Sequence, residues 1–545
     1  KDAIQLVKEN HEKDIDIHQV EKFKKDPLVA AQIRKADTIG CFYIESPAMR
    51  QLLKKLKCDD YITLTAASSI IRPGVSKSGM MKQYIYRFHH PGSFTYLHPK
   101  MEELLQETYG VMVYQEDVIK VAHHFAGLDM GEADILRRAM SGKYRGKKEI
   151  MRIRDKFFAN CKEREYPEDI SAEVWRQIES FSGYSFSKAH SASFAVESYQ
   201  SLFLKTYYPM EFMVAVINNF GGFYSTELYF HELRRAGAMV HAPCVNHSDQ
   251  LTNISGNEVY VGLIHIQGME DKLMEAVLQR RAEEGPYVSL NDFIVRTGIG
   301  PEQLNTLIRV GALRFTGKSK KELLWEANFL QRQGEAAAKP IRSQRPYRFA
   351  ADAVVREGTH HGEGVSEAPA RVPTHRNPVL FEEPPIEFHL PQLAHHPLDD
   401  ALDELDILGF SLCNPFDLVD DDPALYTPAM RMPEYLGQTI TMLGYLVTWK
   451  PVHTVKKEMM YFGTYIDAAG DWLDAVHFPD SARLYPLQGR GFYRMRGRVV
   501  EEFGVYNLEV ERMEKIGIRE RAAQKAGAVL EKDKGWKQGL VVERE

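Results

Sequence analysis

Between Arg137 and Lys156 the sequence sets nine Lys and Arg residues against two acids, Glu149 and Asp155, in a chain whose formal net charge is −6. Solvated helix faces usually mix both signs, because like charges at helical spacing repel one another. The imbalance therefore asks for an anion. On a helix opening at Gly131, Arg137 and Arg138 sit about two turns in, and Lys143, Arg145, Lys147 and Lys148 follow in a glycine-punctuated loop before the next helix. Guanidinium forks grip phosphate oxygens in bidentate fashion and lysines add point charges, so the pattern suits a triphosphate or a nucleic-acid backbone. A solvated face paired with acids elsewhere would use the same residues, and this stretch alone does not separate the two.

Two further stretches shift the balance toward an anion. IIRPGVSKSGM (70–80) puts Arg72 and Lys77 in a loop stiffened by Pro73 and made permissive by Gly74 and Gly79, where backbone N–H groups can approach an anion. SGYSFSKAHSASF (182–194) puts Lys188 and His190 among small residues at the mouth of a buried helix, and helix N-termini attract anions. Each also reads as ordinary turn chemistry or a structural histidine. Further on, Trp449, Lys450, Lys456, Lys457, Tyr461, Phe462, Phe492, Tyr493 and Arg494 intermix rings and cations. Single-strand binding uses that mixture, stacking bases on rings while cations follow the backbone, although about half of such rings fill a small barrel's core.

The elements that must position these residues follow from periodicity. At 545 residues, 44% hydrophobic and 26% charged, the chain exceeds one core and should form several domains. Helical spacing dominates up to about Phe220, with Met101, Leu104 and Leu105 in one segment and Ile150, Ile153 and Phe157 in another. A mixed unit follows, with a strand expected over Val259 to Ile266. Residues from about Gln331 to Pro391 are poor in large apolar side chains and read as a mobile linker. LDDALDELDILGFSL reads as a bridging helix, and Gly437 to Val510 alternates as short strands with glycine turns, suggesting a small antiparallel barrel.

Five scattered cysteines without a CxxC pair argue against a zinc ribbon or a disulfide framework and suit a reducing cytoplasm. The most apolar run is interrupted by Glu197, Lys205, Pro209 and Glu211, so no membrane partner is expected. Paired histidines (His89-His90, His123-His124, His360-His361, His395-His396) raise a metal hydrolase, but adjacent histidines diverge on a helix and no HExxH occurs. KDAIQLVKENHEKDIDIHQV reads as mid-helix material from its first residue, an expectation that the chain starts inside a larger protein.

RPGVSKSGM, TYGVMVYQEDV, GEADILRRAMSGK and GYSFSKAHSASFAVESYQSLFLKTYYPMEFM, in this order, closely resemble the fingers of the bacterial C-family replicative polymerases, the DNA polymerase III alpha subunits. HELRRAGAMVHAPCVNHSD, VYVGLIHIQGM and LNTLIRVGALRF resemble that family's helix-hairpin-helix module, and the barrel resembles its OB-fold. The resemblance implies a multidomain, mainly α protein with a C-terminal antiparallel β-barrel. Its expected divisions are fingers over 1–225, a helix-hairpin-helix DNA-binding module over 226–335, linker over 336–395, bridging helix and loop over 396–432, OB-fold over 433–515 and a charged tail over 516–545.

The resemblance also implies that Arg137, Arg138 and Lys143 face the phosphates of an incoming dNTP with Arg72, Lys188 and His190 nearby. Lys77, Arg145, Lys147, Lys148, Lys456 and Lys457 then contact primer-template or single-stranded template DNA. The family's Mg2+ ions belong to carboxylates of a palm domain. No acidic triad with such surroundings is found here, and the DDD at Asp420 to Asp422 lies beside a turn in the wrong region. No catalytic or metal residue is therefore assigned in this chain, and it is not expected to extend a primer alone.

The family's Phe-Gln-x-Glu-Ser appears as Phe42-Tyr43-Ile44-Glu45-Ser46, RPGP as RPGV at Val75, and GYGFNKSH as GYSFSKAH with Ser185, Ser187 and Ala189. The first hairpin of the second module carries Glu270 where a glycine is usual, which points to a structural role. VLFEEPP at Val379 is a weak match to a sliding-clamp peptide, and this tilts the reading toward a translesion-type member. A non-enzymatic DNA-binding module built from the same parts is the rival reading.

Overall fold

The computed structural model describes residues 1–71, 79–140, 147–180, 187–338, 397–454 and 456–519. The first half is built from capped helices. Asp26 accepts hydrogen bonds from the N–H groups of Leu28 and Val29 ahead of the Pro27–Arg34 helix, and Asp60 does the same for Ile62 and Thr63 ahead of Tyr61–Ile70. Each cap satisfies backbone donors that have no partner within the helix. From Thr63 to Ile70 every side chain of the second helix is buried, and its polar members are satisfied locally: Thr65 and Ser68 donate to the Tyr61 and Leu64 carbonyls. That helix packs on Lys188–Tyr207, where the Ser69 and Ser191 hydroxyls meet at 2.5 Å and Tyr61 donates to the Ala192 carbonyl.

One apolar core runs from Ala3 to Phe410 and joins these helices to the mixed unit after them. There β1 (Met239–His241), β2 (Asn253–Ser255) and β3 (Glu258–Tyr260) form a sheet in the order β1-β3-β2. The strand expected over Val259 to Ile266 stops at Tyr260, and Leu263–His265 is a 3-10 turn. The reason is a close backbone approach: a side chain at Gly262 would meet the Leu251 and Thr252 backbone at 2.5 Å. Leu263 and Ile264 donate to the carbonyls of Asp249 and Gln250 instead of continuing a ladder.

The C-terminal unit is a closed barrel of β4 (Thr439–His453), β5 (Met459–Ile466), β6 (Trp472–His477), β7 (Phe492–Glu502) and β8 (Val505–Ile516), ordered β4-β5-β6-β8-β7. Four of its seams are antiparallel, and the β6–β8 seam is parallel, with Ala475 opposite Leu508. The barrel has its own core around Met442, Tyr465, Met495 and Leu508. It docks on the Pro47–Leu56 helix, where Lys55 Nζ lies 2.5 Å from Glu502 and the Arg50 guanidinium stacks 3.9 Å over Trp472. Among the described residues no helix is long and apolar enough to cross a membrane. Most of the expected linker and tail lies outside the described residues, as does the VLFEEPP stretch.

Candidate nucleotide and nucleic-acid interface

The Met130–Met140 helix is opened by a reciprocal pair: Asp129 accepts from the Glu132 N–H at 2.8 Å, and Glu132 accepts from the Asp129 N–H at 3.1 Å. One turn on, the two oxygens of Asp134 each take a guanidinium, Arg137 Nε at 2.8 Å and Arg138 Nε at 2.8 Å. These bonds, Arg137's foremost, hold the Asp134 carboxyl below the usual carboxylate range. Two Arg forks thus converge on one small, solvent-reached anion: Arg137 is 37% exposed and Arg138 56%.

The excess of positive charge is partly answered from upstream. Lys156 Nζ bonds both oxygens of Glu132, at 2.8 and 2.9 Å, and Arg152 lies 3.6 Å from the same carboxylate. Lys147 and Lys148 do not lie in the expected loop; they begin the Lys147–Glu163 helix, whose first-turn acid is Glu149. The Lys148 side chain is exposed. Arg72, Lys77, Lys143 and Arg145, together with the side chain of Lys147, lie outside the described residues.

Lys188 opens the 20-residue helix Lys188–Tyr207, with Ser187 as its cap. The Ser187 hydroxyl lies 2.7 Å from His190 Nδ1 and accepts from the His190 N–H. The helix terminus already holds carboxylates: Glu116 accepts from the Lys188 N–H at 2.9 Å, and Glu107 grips Lys188 Nζ at 2.6 and 2.8 Å. Glu116 belongs to the short helix Gln115–Lys120, which packs against Met130–Met140. The arginine pair and the Lys188 terminus therefore flank one element. Asp117 on that element is buried, accepts from the Val113 and Tyr114 N–H groups at 2.9 Å, and is pushed up to about 6 by burial.

The sequence reading missed Asp134, Glu107 and Glu116 as partners. The spacing of Asp134 three and four residues before the arginines was a readable signal. Lys188 is 81 residues from Glu107 and 72 from Glu116, and only folding brings them together. Glu45, in the Phe42-to-Ser46 stretch, is a buried hub: its carboxylate accepts from the Gly40 and Phe223 N–H groups, at 2.8 and 2.6 Å, and from the Tyr229 hydroxyl. It holds the Gly221–Tyr224 turn against the chain's first helices, a structural task.

On the barrel, Lys456 and Lys457 are exposed in the β4–β5 turn, which is closed by the Thr454 N–H donating to the Glu458 carbonyl at 2.8 Å. Trp449 and Phe462 are 44% and 45% exposed, whereas Phe492 and Tyr493 are buried. Arg494 is committed to Asp421 at 2.6 Å and Glu514 at 3.2 Å. Asp422 caps a 3-10 turn, so the Asp420–Asp422 run stabilises the segment leading into the barrel. Among the described residues no three His, Cys, Asp or Glu side chains gather where a metal ion would fit. His89 and His123 bond the carbonyls of Lys55 and Leu128.

Comparison with known proteins sets these arrangements in a family. Residues 1–165 match the bacterial DNA polymerase III alpha subunit finger domain, and residues 237–323 match a helix-hairpin-helix motif. The chain is 35% identical over 325 residues to the DNA polymerase III subunit alpha of Aquifex aeolicus (strain VF5), covering 59% of this chain and 28% of that protein. It is 36% identical over 293 residues to that of Pseudomonas aeruginosa (strain PAO1), covering 52% and 25%. Against that of Staphylococcus aureus (strain MRSA252) it is 34% identical over 306 residues, covering 55% and 28%. The matched region thus spans about a quarter of the length of these curated relatives. With fingers, helix-hairpin-helix module and barrel in that order, the chain belongs to the bacterial DNA polymerase III alpha family.

Proposed function

We propose that this chain is the fingers-to-barrel part of a cytoplasmic DNA-directed DNA polymerase, adding dNTPs to a primer 3' end in replication or translesion repair synthesis. The observation that carries the reading is the pairing of Arg137 and Arg138 with one exposed carboxylate, Asp134. Exposed ion pairs contribute little to stability, so a more highly charged triphosphate can draw the guanidinium groups away from Asp134 at small cost. Phosphoryl transfer is promoted by alignment and by neutralising charge on the transferring group, which is what converging cations supply. Lys188 and His190 add to that field, with Arg72 and Lys143 assigned beside them. Lys77, Arg145, Lys147 and Lys148 are assigned to the primer-template backbone.

Metal ions in such a reaction activate the primer hydroxyl and the leaving group. The described carboxylates here are engaged as caps and ion pairs and do not converge, so the Mg2+ ions are assigned to a palm outside these residues. On this reading the chain alone does not extend a primer, and a sliding clamp or other replication subunits are its candidate partners.

The test is Arg137→Ala with Arg138→Ala in the intact polymerase. Losing charge-assisted hydrogen bonds of about 1.5–3 kcal/mol lowers kcat/KM for dNTP roughly ten- to a hundredfold. Unchanged kinetics remove the assigned role. DNA affinity indifferent to dNTP and to both arginines would favour a non-catalytic DNA-binding module.

A further inference from the structure

A cavity of about 300 Å³ lies between the Thr226–Arg235 helix and strand β4, outside the fingers site. Leu228, Pro415, Val447 and the Trp449 ring give it apolar walls, and Ser225 and Thr448 stand among its lining residues. Its polar groups are few and unspent. Among the described residues, His231 Nε2 and Arg234 Nε are buried without a hydrogen-bond partner. Buried polar atoms are nearly always satisfied, so two such atoms lining one cavity point to an occupant that supplies the missing bonds. The rest of the Arg234 fork makes only long contacts, 3.4 Å each, to the Cys413 and Ser411 carbonyls. Burial lowers the pKa of His231, so its imidazole is neutral and offers a donor or an acceptor. The one acid of the lining, Glu227, is already held by Arg490 and by the Tyr445 hydroxyl, so it does not repel an electron-rich edge.

The occupant must present flat apolar faces and one hydrogen-bonding edge. What surrounds the mouth narrows the choice. Trp449 packs edge-on to Tyr461, with ring centroids 5.5 Å apart, and Lys450 stands opposite the exposed Phe462 in the β4–β5 register. The same hairpin ends in Lys456 and Lys457. Rings and cations thus continue from the cavity along one ribbon, the combination that holds single strands.

We propose that this cavity takes one unstacked base of a single-stranded nucleic acid, with Arg234 Nε donating to a ring nitrogen or carbonyl oxygen of the base. The proposal rests on the barrel's reading as a single-strand surface and adds a specific seat for a base. Phosphates of the strand stay outside, along the lysines.

The test uses the full chain at fixed salt, comparing its affinity for a thymidine oligomer with that for an abasic oligomer of equal length and charge. Wild type is expected to favour the base-bearing strand about tenfold, the scale of one stacked and bonded base. Ser225→Leu with Thr448→Leu narrows the mouth without adding charge or a ring; Ser225 is exposed and makes no capping bond. That variant should bring the ratio toward one, and Arg234→Lys should lower it while keeping the charge. A ratio unchanged by both variants places the bases on the open rings and overturns the proposal. Equal affinity of wild type for both strands overturns it while leaving the lysine contacts standing. Binding to neither strand overturns the barrel reading together with it.

Discussion

Lys188 Nζ lies 2.6 and 2.8 Å from the two oxygens of Glu107, and the same residue's N–H donates to Glu116 at 2.9 Å, so two carboxylates occupy a helix terminus suited to phosphate. Both partners of the Glu107 pair are about half exposed. Glu107→Gln should therefore change stability by less than about 0.5 kcal/mol and tighten triphosphate binding about threefold, the scale of one released surface pair. Calorimetric titration of the full chain with a dNTP reads this; weaker binding would mean that Glu107 positions Lys188 instead of occupying its site.

Glu45 is a different kind of carboxylate. Its removal leaves the Gly40 and Phe223 N–H groups and the Tyr229 hydroxyl without their acceptor inside the protein. Glu45→Ala should cost about 2–4 kcal/mol, seen as a lower urea midpoint, because orphaned buried donors lose their full solvation. Glu45→Gln keeps one acceptor oxygen and should lose less.

Two buried groups make stability depend on pH with opposite signs. Burial pushes Asp117 up to about 6, so its neutral form is favoured by folding, and the stability it gives at low pH is lost as pH rises through 6. Asp117→Asn should remove that loss and gain on the order of 2–3 kcal/mol at pH 7 relative to wild type, if the two backbone bonds survive. Burial pushes His477 down to about 4, so its contribution is present above its unfolded value near 6.5 and is lost as pH falls toward 4. His477→Phe should flatten the acid limb of barrel unfolding, followed by thermal melts between pH 4 and 7.

Lys456 and Lys457 are exposed on the β4–β5 turn. Reversing both charges by Lys456→Glu and Lys457→Glu should weaken single-strand binding and reduce the log–log salt slope by at least about 1.4, since each lost phosphate contact removes about 0.7. An unchanged slope would mean that the backbone passes elsewhere.

Much of the fold can be read from short-range pattern. Ser187 before Lys188, Asp60 before Tyr61 and Asp129 three residues before Glu132 mark helix starts where the structure has them. The alternation after Gly437 marks the barrel strands. Where a distant segment intervened, the pattern misled: Gly262 met the Leu251–Thr252 backbone and ended a strand that the side chains alone would have continued. Lys147 and Lys148 read as loop, because glycines precede them, yet they start a helix whose Ile153 and Phe157 are buried in the common core.

Phe492 and Tyr493 show where the division falls. Adjacent residues on a strand point to opposite faces, so alternation predicts that one is buried and one exposed. Both are buried, because Tyr493 fills the barrel core while Phe492 is covered from outside by Phe416 and Tyr445. The sequence by itself determined the residue types, their periodicity and the caps, since these depend on neighbours a few positions away. Only the tertiary structure decided which carboxylate meets Lys188, which rings stay open to a strand and where a cavity forms. Those outcomes depend on burial between segments tens to hundreds of residues apart, whose meeting no local pattern records.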